Sequence, residues 1–284
     1  MPERGSPTLR HRRLGRELRR LRERSGMIGD EVATRLRWST AKVSRIENAK
    51  TLPTPRDLEA LLELYNADTE VRLELQELRR SAARKGWWEE HRESLPPDLI
   101  PLLELEVEAT TIRNWEPQIV PGLLQTEEYA HAVMETTQPV VQIPHAWLRD
   151  RVRVRMMRQK ILLLEANPVN LVVVFEESVL RRQFGDSSVM QGQLQKLIEM
   201  SELDHVELRI LPQDAPPPMP TGPFVHLQLP DFPDMVYLEE FFGAKLVEDP
   251  QRVFAYERAF NYLMDIALDE ESSRRLVQKT LERW

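Results

Sequence analysis

The chain is 284 residues long, carries 39 Lys and Arg against 46 Asp and Glu for a net charge of −7, and has no cysteine. That length holds two domains with separate cores, and the missing thiols exclude disulfides, thiolate catalysis and zinc–thiolate sites. No apolar run is long enough for a bilayer span and the arginine-rich start lacks an apolar signal core, which reads as a cytoplasmic, nucleoid-associated protein. The overall charge hides two halves of opposite sign. Residues 1–85 hold 20 Lys/Arg against 13 Asp/Glu, or +7, and residues 86–284 hold 19 against 33, or −14. A basic module on an acidic chain can meet polyphosphate while the remainder is repelled from it.

Residues 1–8 read as a flexible N-terminal arm and residues 9–85 as one helical domain. A first helix, from about Leu9 to Arg24, stops at Gly26. Leu14, Leu18 and Leu21 form its buried stripe, and the eight arginines between Arg10 and Arg24 exceed what solubility requires. Residues 29–48, GDEVATRLRWSTAKVSRIEN, then place apolar groups at Val32, Leu36, Trp38, Val43 and Ile46, giving two short helices one apolar side each. Small Ala33 admits the close crossing of a helix-turn-helix. The second helix leaves Thr40, Ala41, Lys42, Ser44, Arg45 and Asn48 exposed, short hydrogen-bonding groups and cations of the kind that reads a major groove. The competing reading is an ordinary helical hairpin in a larger bundle. After a polar turn from Asn48 to Thr54, Thr54-Pro55 supplies a cap and a first-turn proline for a fourth helix, buried through Leu58, Leu61, Leu62 and Tyr65. Asp68 caps a fifth, in which Val71, Leu75 and Leu78 repeat at i, i+4, i+7.

Five short helices in this order, with V-A-x-x-L at Val32–Leu36, W-S at Trp38-Ser39 and K-V-S-R-I-E-N at Lys42–Asn48, resemble the lambda-repressor-like, or Xre-type, DNA-binding domain. The resemblance implies that Thr40, Ala41 and Arg45 meet bases, Arg45 through two parallel hydrogen bonds to a guanine and Ala41 against a thymine methyl. It implies a capping and phosphate role for Ser39, backbone contacts for Asn48 and Lys50, and either role for Lys42 and Ser44. Arg22 and Glu47 occupy positions that pair in related domains, which implies a structural salt bridge. Such proteins bind double-stranded DNA as two-fold dimers on half-sites about one helical turn apart, implying a homodimer on a palindromic operator. Two residues depart from the pattern. Arg37 stands at a turn position where glycine is common, and a left-handed residue there costs roughly 1 kcal/mol. Ala49 replaces a second usual glycine, so the loop carrying Lys50 is expected to take a different course.

Gly86-Trp87-Trp88 opens acidic, aromatic-rich sequence, and residues 86–284 read as a mixed α+β domain for regulation, partner binding or dimerisation. Pro96-Pro97-Asp98 starts a long helix through about Trp115, with its Glu residues on the exposed side. Pro121-Gly122 introduces another from Leu123 to about Thr137. His145 to Glu165 is a third, with arginines from Arg149 to Arg158 among apolar Trp147, Leu148, Val152 and Met156. Intramolecular pairing with acidic helices accounts for those arginines better than nucleic acid does. Val169–Phe175, Val206–Leu211, Phe224–Leu229 and Met235–Phe241 read as strands, and Ser178–Phe184 and Ser187–Leu203 as helices. Pro212–Pro223 holds six prolines and reads as a loop and a candidate lid. Val253–Leu268 and Glu271–Glu282 close the chain as helices. Trp115 and Trp147 read as core. The fold class is mainly α, with a mixed α+β C-terminal domain.

Motifs through this half resemble the actinobacterial WhiJ-type regulators: Gly86-Trp87-Trp88, V-P-G-L-L-Q-T-E-E-Y-A at Val120–Ala130, R-x-x-R-Q at Arg155–Gln159, and F-E-E-S-V-L-R-R at Phe175–Arg182. Gln193-Leu194, V-Y-L-E at Val236–Glu239 and A-L-D-E-E-S-S at Ala267–Ser273 extend the match. The resemblance implies a developmental or specialised-metabolism transcription regulator whose second domain senses a ligand or a partner protein. The alternative is an antitoxin-like protein that binds a small protein encoded nearby and autoregulates its operon. His11, His91, His131, His145, His205 and His226 show no metal-ligand spacing, and the chain has no G-x-S-x-G elbow, phosphate-binding glycine loop or dinucleotide fingerprint. Glu176-Glu177 with Arg181-Arg182 reads as paired helix-end charge. The expectation is no enzyme, no cofactor and no metal.

Overall fold

The computed structural model describes residues 9–84, 86–216, 222–230, 232–240 and 243–284. The expected arm at 1–8, residues 217–221 of the proline-rich loop and Phe241 lie outside the described residues. The chain forms two compact units that divide after Glu89.

The first unit is five helices: α1 (Leu9–Arg24), α2 (Gly29–Leu36), α3 (Thr40–Glu47), α4 (Pro55–Leu64) and α5 (Thr69–Ala82). Local chemistry sets their starts. The side chains of Ser39, Thr54 and Asp68 accept hydrogen bonds from Lys42 N (3.3 Å), Asp57 N (3.1 Å) and Val71 N (2.9 Å), each satisfying an amide left orphaned in a first turn. Arg37 ends α2 in the left-handed conformation, φ 56° and ψ 41°, while Trp38 N reaches Ala33 O at 2.8 Å. Ala49 is also left-handed, φ 52°, so the loop after α3 keeps the course that a glycine would give it, contrary to expectation. The Ala49 methyl is buried, and that packing offsets part of the roughly 1 kcal/mol of strain. Leu14, Leu18, Val32, Ile46 and Leu62 are almost wholly buried in a single core.

Ala33 is buried, yet the tightest approach in this core lies elsewhere. A Cβ at Gly15 of α1 would come within 2.7 Å of Glu47 O and 2.9 Å of Ile46 O, both backbone atoms at the end of α3. Only a residue without a side chain lets α1 lie so close. Gly15→Ala is therefore expected to destabilise the first unit by about 1–3 kcal/mol through overpacking, despite the gain in helix propensity. Faster amide hydrogen exchange in α1 and α3 would report it, and unchanged or slower exchange would contradict it.

The second unit is built on a six-stranded mixed sheet of order β3-β2-β1-β4-β5-β6. The strands are β1 (Thr111–Glu116), β2 (Asn170–Glu176), β3 (Val206–Leu211), β4 (Phe224–Gln228), β5 (Met235–Glu240) and β6 (Gly243–Val247). β1, β2 and β3 are parallel, and β4, β5 and β6 continue antiparallel from the other side of β1. Helices α6 (Ile100–Glu108), α7 (Glu127–Glu135), α8 (His145–Arg158), α9 (Ser187–Met200), α10 (Pro250–Ile266) and α11 (Glu270–Leu281) accompany it. β2 is buried from Leu171 through Phe175 except for a half-buried Val172, as a central parallel strand should be. At the opposite flank β3 is closed off by α11, whose Ser273 hydroxyl accepts from Ile210 N at 3.0 Å.

Six expectations are corrected here. The long helix to Trp115 ends at Glu108, and Thr111–Glu116 is strand β1, because it pairs in register with β2 from Thr111–Asn170 to Glu116–Phe175. Its Glu106 is not on an exposed side but buried against Arg158. The helix predicted from Leu123 to about Thr137 starts later, at Glu127, where the Thr126 hydroxyl caps α7, and Gly122–Leu124 is a separate 3-10 turn. The helix from His145 stops at Arg158 and continues as a 3-10 turn to Leu162, and Ser178–Phe184 contains only a 3-10 turn, Glu177–Leu180. Trp115 is core, whereas Trp147 is 42% exposed. β6 was not foreseen.

Candidate nucleic-acid interface

Helix α3 is anchored by one side and presents the other. Val43 and Ile46 are buried, while Thr40, Ala41, Ser44, Arg45 and Asn48 are all exposed. Positions 40, 41, 44, 45 and 48 follow i, i+1, i+4, i+5, i+8 and so share one face of the helix. Ser39 is exposed at its N-terminus and its hydroxyl serves the cap.

The charged groups around this face divide into those used by the fold and those left over. Arg22 of α1 forks onto Glu47, with Nε–Oε1 at 2.7 Å and Nη2–Oε2 at 3.1 Å, and its Nη1 donates to Met27 O at 2.8 Å. Both side chains are about nine-tenths buried, and the Glu47 contact holds Arg22 above the usual arginine range. Lys42 is also engaged: its ammonium lies 2.6 Å from Asp57 Oδ1 and 3.8 Å from the Trp38 ring centroid. Burial acts to raise the Asp57 carboxyl, but Lys42 and Thr54 together hold it below the usual carboxylate range. Asn48 turns its amide onto Ser44, donating to Ser44 O at 2.8 Å and to its hydroxyl at 3.3 Å. Among the described residues the side chains of Arg45 and Lys50 make no hydrogen bond or ion pair, and both are exposed. Lys50 is placed by its own backbone, since Lys50 N and Thr51 N both donate to Arg45 O, at 2.7 and 3.1 Å.

The structure adds two residues that pattern reading missed. Gly29 and Asp30, at the start of α2, line a shallow cleft with Thr40, Ala41, Ser44 and Asn48. The residue before them, Ile28, has no side-chain oxygen to cap α2; the Glu31 carboxylate accepts from Ile28 N at 2.9 Å and Glu31 N reaches Ile28 O at 3.2 Å, which among the described residues leaves the Gly29 and Asp30 amides open to an anionic oxygen. An apolar residue at a helix start was the signal in the sequence. Two cations, two hydroxyls, a methyl group and open helix amides on one exposed surface can meet a phosphate backbone and base edges together. Among the described residues no group of His, Asp and Glu side chains can hold a metal ion, and no helix is long and apolar enough to cross a membrane.

Comparison with known families places both units. A family described as a helix-turn-helix domain matches residues 13–75, and one described as a domain of unknown function (DUF5753) matches residues 99–279. The second covers more than half of the chain, and the protein belongs to the DUF5753 family. No curated protein and no solved structure matches it.

The pair that fixes α3 is open to test. Arg22→Met leaves Glu47 charged and unmatched in a nearly closed site, an expected loss of about 3 kcal/mol in the stability of the first unit. Glu47→Gln keeps an acceptor for Arg22 and is expected to cost less. Denaturant unfolding of both variants checks the order, and equal, small losses would count against the role given to this pair. Acid should loosen the Lys42–Asp57 contact: a depressed carboxylate stabilises above the ordinary carboxylate range and loses that contribution as pH falls through its lowered value. Asp57→Asn is expected to remove this acid dependence.

Proposed function

We propose that this DUF5753 family member is a sequence-specific transcription regulator that reads double-stranded DNA with α3 in the major groove. The observation carrying this reading is the exposed face Thr40, Ala41, Ser44, Arg45 and Asn48, in which Arg45, with Lys50 beside it, has no side-chain partner among the described residues. Arg45 has the reach for two parallel hydrogen bonds to a guanine, Thr40 and Ala41 stand at the helix start where base edges come closest, and Lys50 and the α2 amides take phosphates. Lys42 belongs to the fold in this arrangement and contributes its charge at a distance. The finer reading is of an Xre-type, WhiJ-like cytoplasmic regulator, acting as a homodimer on a palindromic operator. Its second unit senses a ligand or a small partner protein and carries out no catalysis. An antitoxin-like protein would instead hold that partner tightly and use DNA binding for autoregulation. Co-purification of a small protein encoded nearby separates these two.

Selection of bound sequences from a random pool, followed by salt titration on the best site, tests the assignment of α3. Arg45→Ala is expected to lose about 1–3 kcal/mol on that site and to relax preference at one base position. Lys50→Ala is expected to weaken all sequences alike and to lower the salt slope by about one. Failure to enrich any sequence, or identical effects of both substitutions on every sequence, would remove the basis for this function.

A further inference from the structure

Three of the motifs in the second half meet around one loop. Gln125, wholly buried, donates to Val120 O at 2.7 Å and accepts from Arg155 Nη1 at 2.8 Å. Its backbone carbonyl accepts from Gln159 Nε2 at 2.7 Å and from Lys196 Nζ at 2.9 Å. Gln193 clamps the same loop, donating to Leu124 O and accepting from Thr126 N, both at 2.8 Å. V-P-G-L-L-Q-T, R-x-x-R-Q and Q-L are thus one polar network, rigid because nearly every member is matched.

Two cations in it meet only neutral groups: Lys196, whose ammonium is taken up by oxygens of Gln125 and Gln159, and Arg155. Arg158 is paired bidentately with buried Glu106, at 2.9 and 2.6 Å. Arg155, one turn earlier on α8, has only the neutral Gln125 side chain as a hydrogen-bond partner among the described residues, and no carboxylate within 4.0 Å. Burial and the neighbouring Arg158 lower Arg155 to about 10, and Glu239 and Glu116 act on it only through space. Glu116 ends β1 at the carboxyl edge of the parallel strands, the side of an open sheet on which ligands bind. Its carboxyl is buried and takes only a 3.3 Å hydrogen bond from Gln118 N and one from the Ile119 amide. Burial, reinforced by Glu239, pushes it up to about 8, which favours its protonated, hydrogen-bond-donating form at neutral pH. The charged and titratable groups facing it are Arg155 from α8, Glu239 from β5 and Tyr129 from α7. Glu239 is exposed and Arg155 is half-buried, which leaves the cluster an entrance on the Glu239 side.

We propose that Arg155 and Glu116 form a binding site for a small molecule bearing one carboxylate, the guanidinium taking the anion and the Glu116 carboxyl donating to an oxygen of it. This rests on the sensing role proposed for the second unit and gives that role a place and a ligand class. With the Lys196 ammonium held by two oxygens of the network, Arg155 is the cation left beside Glu116, and it balances a single negative charge. A phosphate, with its larger charge, would meet Glu239 and Glu106 without a second cation turned toward it, because Arg158 is already neutralised and Lys196 is turned onto Gln125 and Gln159.

The test is titration of the full chain, without DNA, by acetate and benzoate, with inorganic phosphate as the contrast, read by calorimetry. Leaving DNA out keeps the result independent of whether α3 reads bases. Saturable binding of a carboxylate at millimolar concentration is expected, with none for phosphate. Arg155→Gln is expected to weaken it at least about tenfold. Gly122→Ala tests the same edge without removing a charge. Its methyl would sit 3.7 Å from Arg158 Nη1 and 4.0 Å from Arg155 Nε, ordinary contact distances, and is expected to hinder the ligand while the fold survives. Binding by the unaltered chain should fall as pH rises through about 8, where Glu116 loses the donated proton, and Glu116→Gln should bind with that pH dependence gone. Absence of saturable carboxylate binding, preference for phosphate, or unchanged binding in folded Arg155→Gln and Gly122→Ala would overturn the proposal.

Discussion

Helix α3 has eight residues, fewer than the roughly 12 an isolated helix needs to persist in water, so its shape is borrowed from α1. Three contacts lend it: the backbone approach at Gly15, the Arg22–Glu47 fork, and burial of Val43 and Ile46. Together they tie the C-terminal half of α3 to the core and leave its first residues standing out. The exposed face is therefore not an independent feature added to the bundle. It is the remainder of a helix whose other side is fully committed.

That commitment also sorts the charges. Counting cations near α3 would make Lys42, Arg45, Lys50 and Arg22 equivalent. Geometry separates them, since Arg22 and Lys42 are matched by carboxylates within 2.7 Å and Arg45 and Lys50 are not. The two left-handed residues that flank α3, Arg37 and Ala49, show the same economy. Each carries strain of about 1 kcal/mol relative to glycine, and each sits where neighbouring hydrogen bonds or burial fix its backbone.

The first unit was legible in the sequence because its determinants are local. Caps at Ser39, Thr54 and Asp68 and apolar spacing within each helix specify where elements begin and which side they bury. Gly15 was not legible, since the atoms it must avoid lie more than thirty residues away. The second unit depends on such distant partners throughout. Thr111–Glu116 follows a helix without a strong break, and only pairing with residues 170–175 on one side and 224–228 on the other makes it a strand. Glu106 resembles any surface glutamate until Arg158, on another helix, is placed against it. The V-P-G-L-L-Q-T run announces itself, but that its glutamine is a hub for Arg155, Gln159 and Lys196 is visible only in three dimensions.

The arginines of α8 illustrate how burial turns similar residues to different ends. Arg151 donates to Ser94 O at 2.6 Å and so ties α8 to the preceding segment. Arg158 repays the burial of Glu106 with two hydrogen bonds, the arrangement in which a buried pair is least costly. Arg155 lies between them in sequence, is held in place by a buried network, and meets only an amide oxygen. A chain selected only for stability would gain by matching or removing such a guanidinium, because an enclosed charge with unused donors costs free energy that an apolar residue would not. Keeping it rigid and partly unmatched is the arrangement required of a group whose partner arrives from solution.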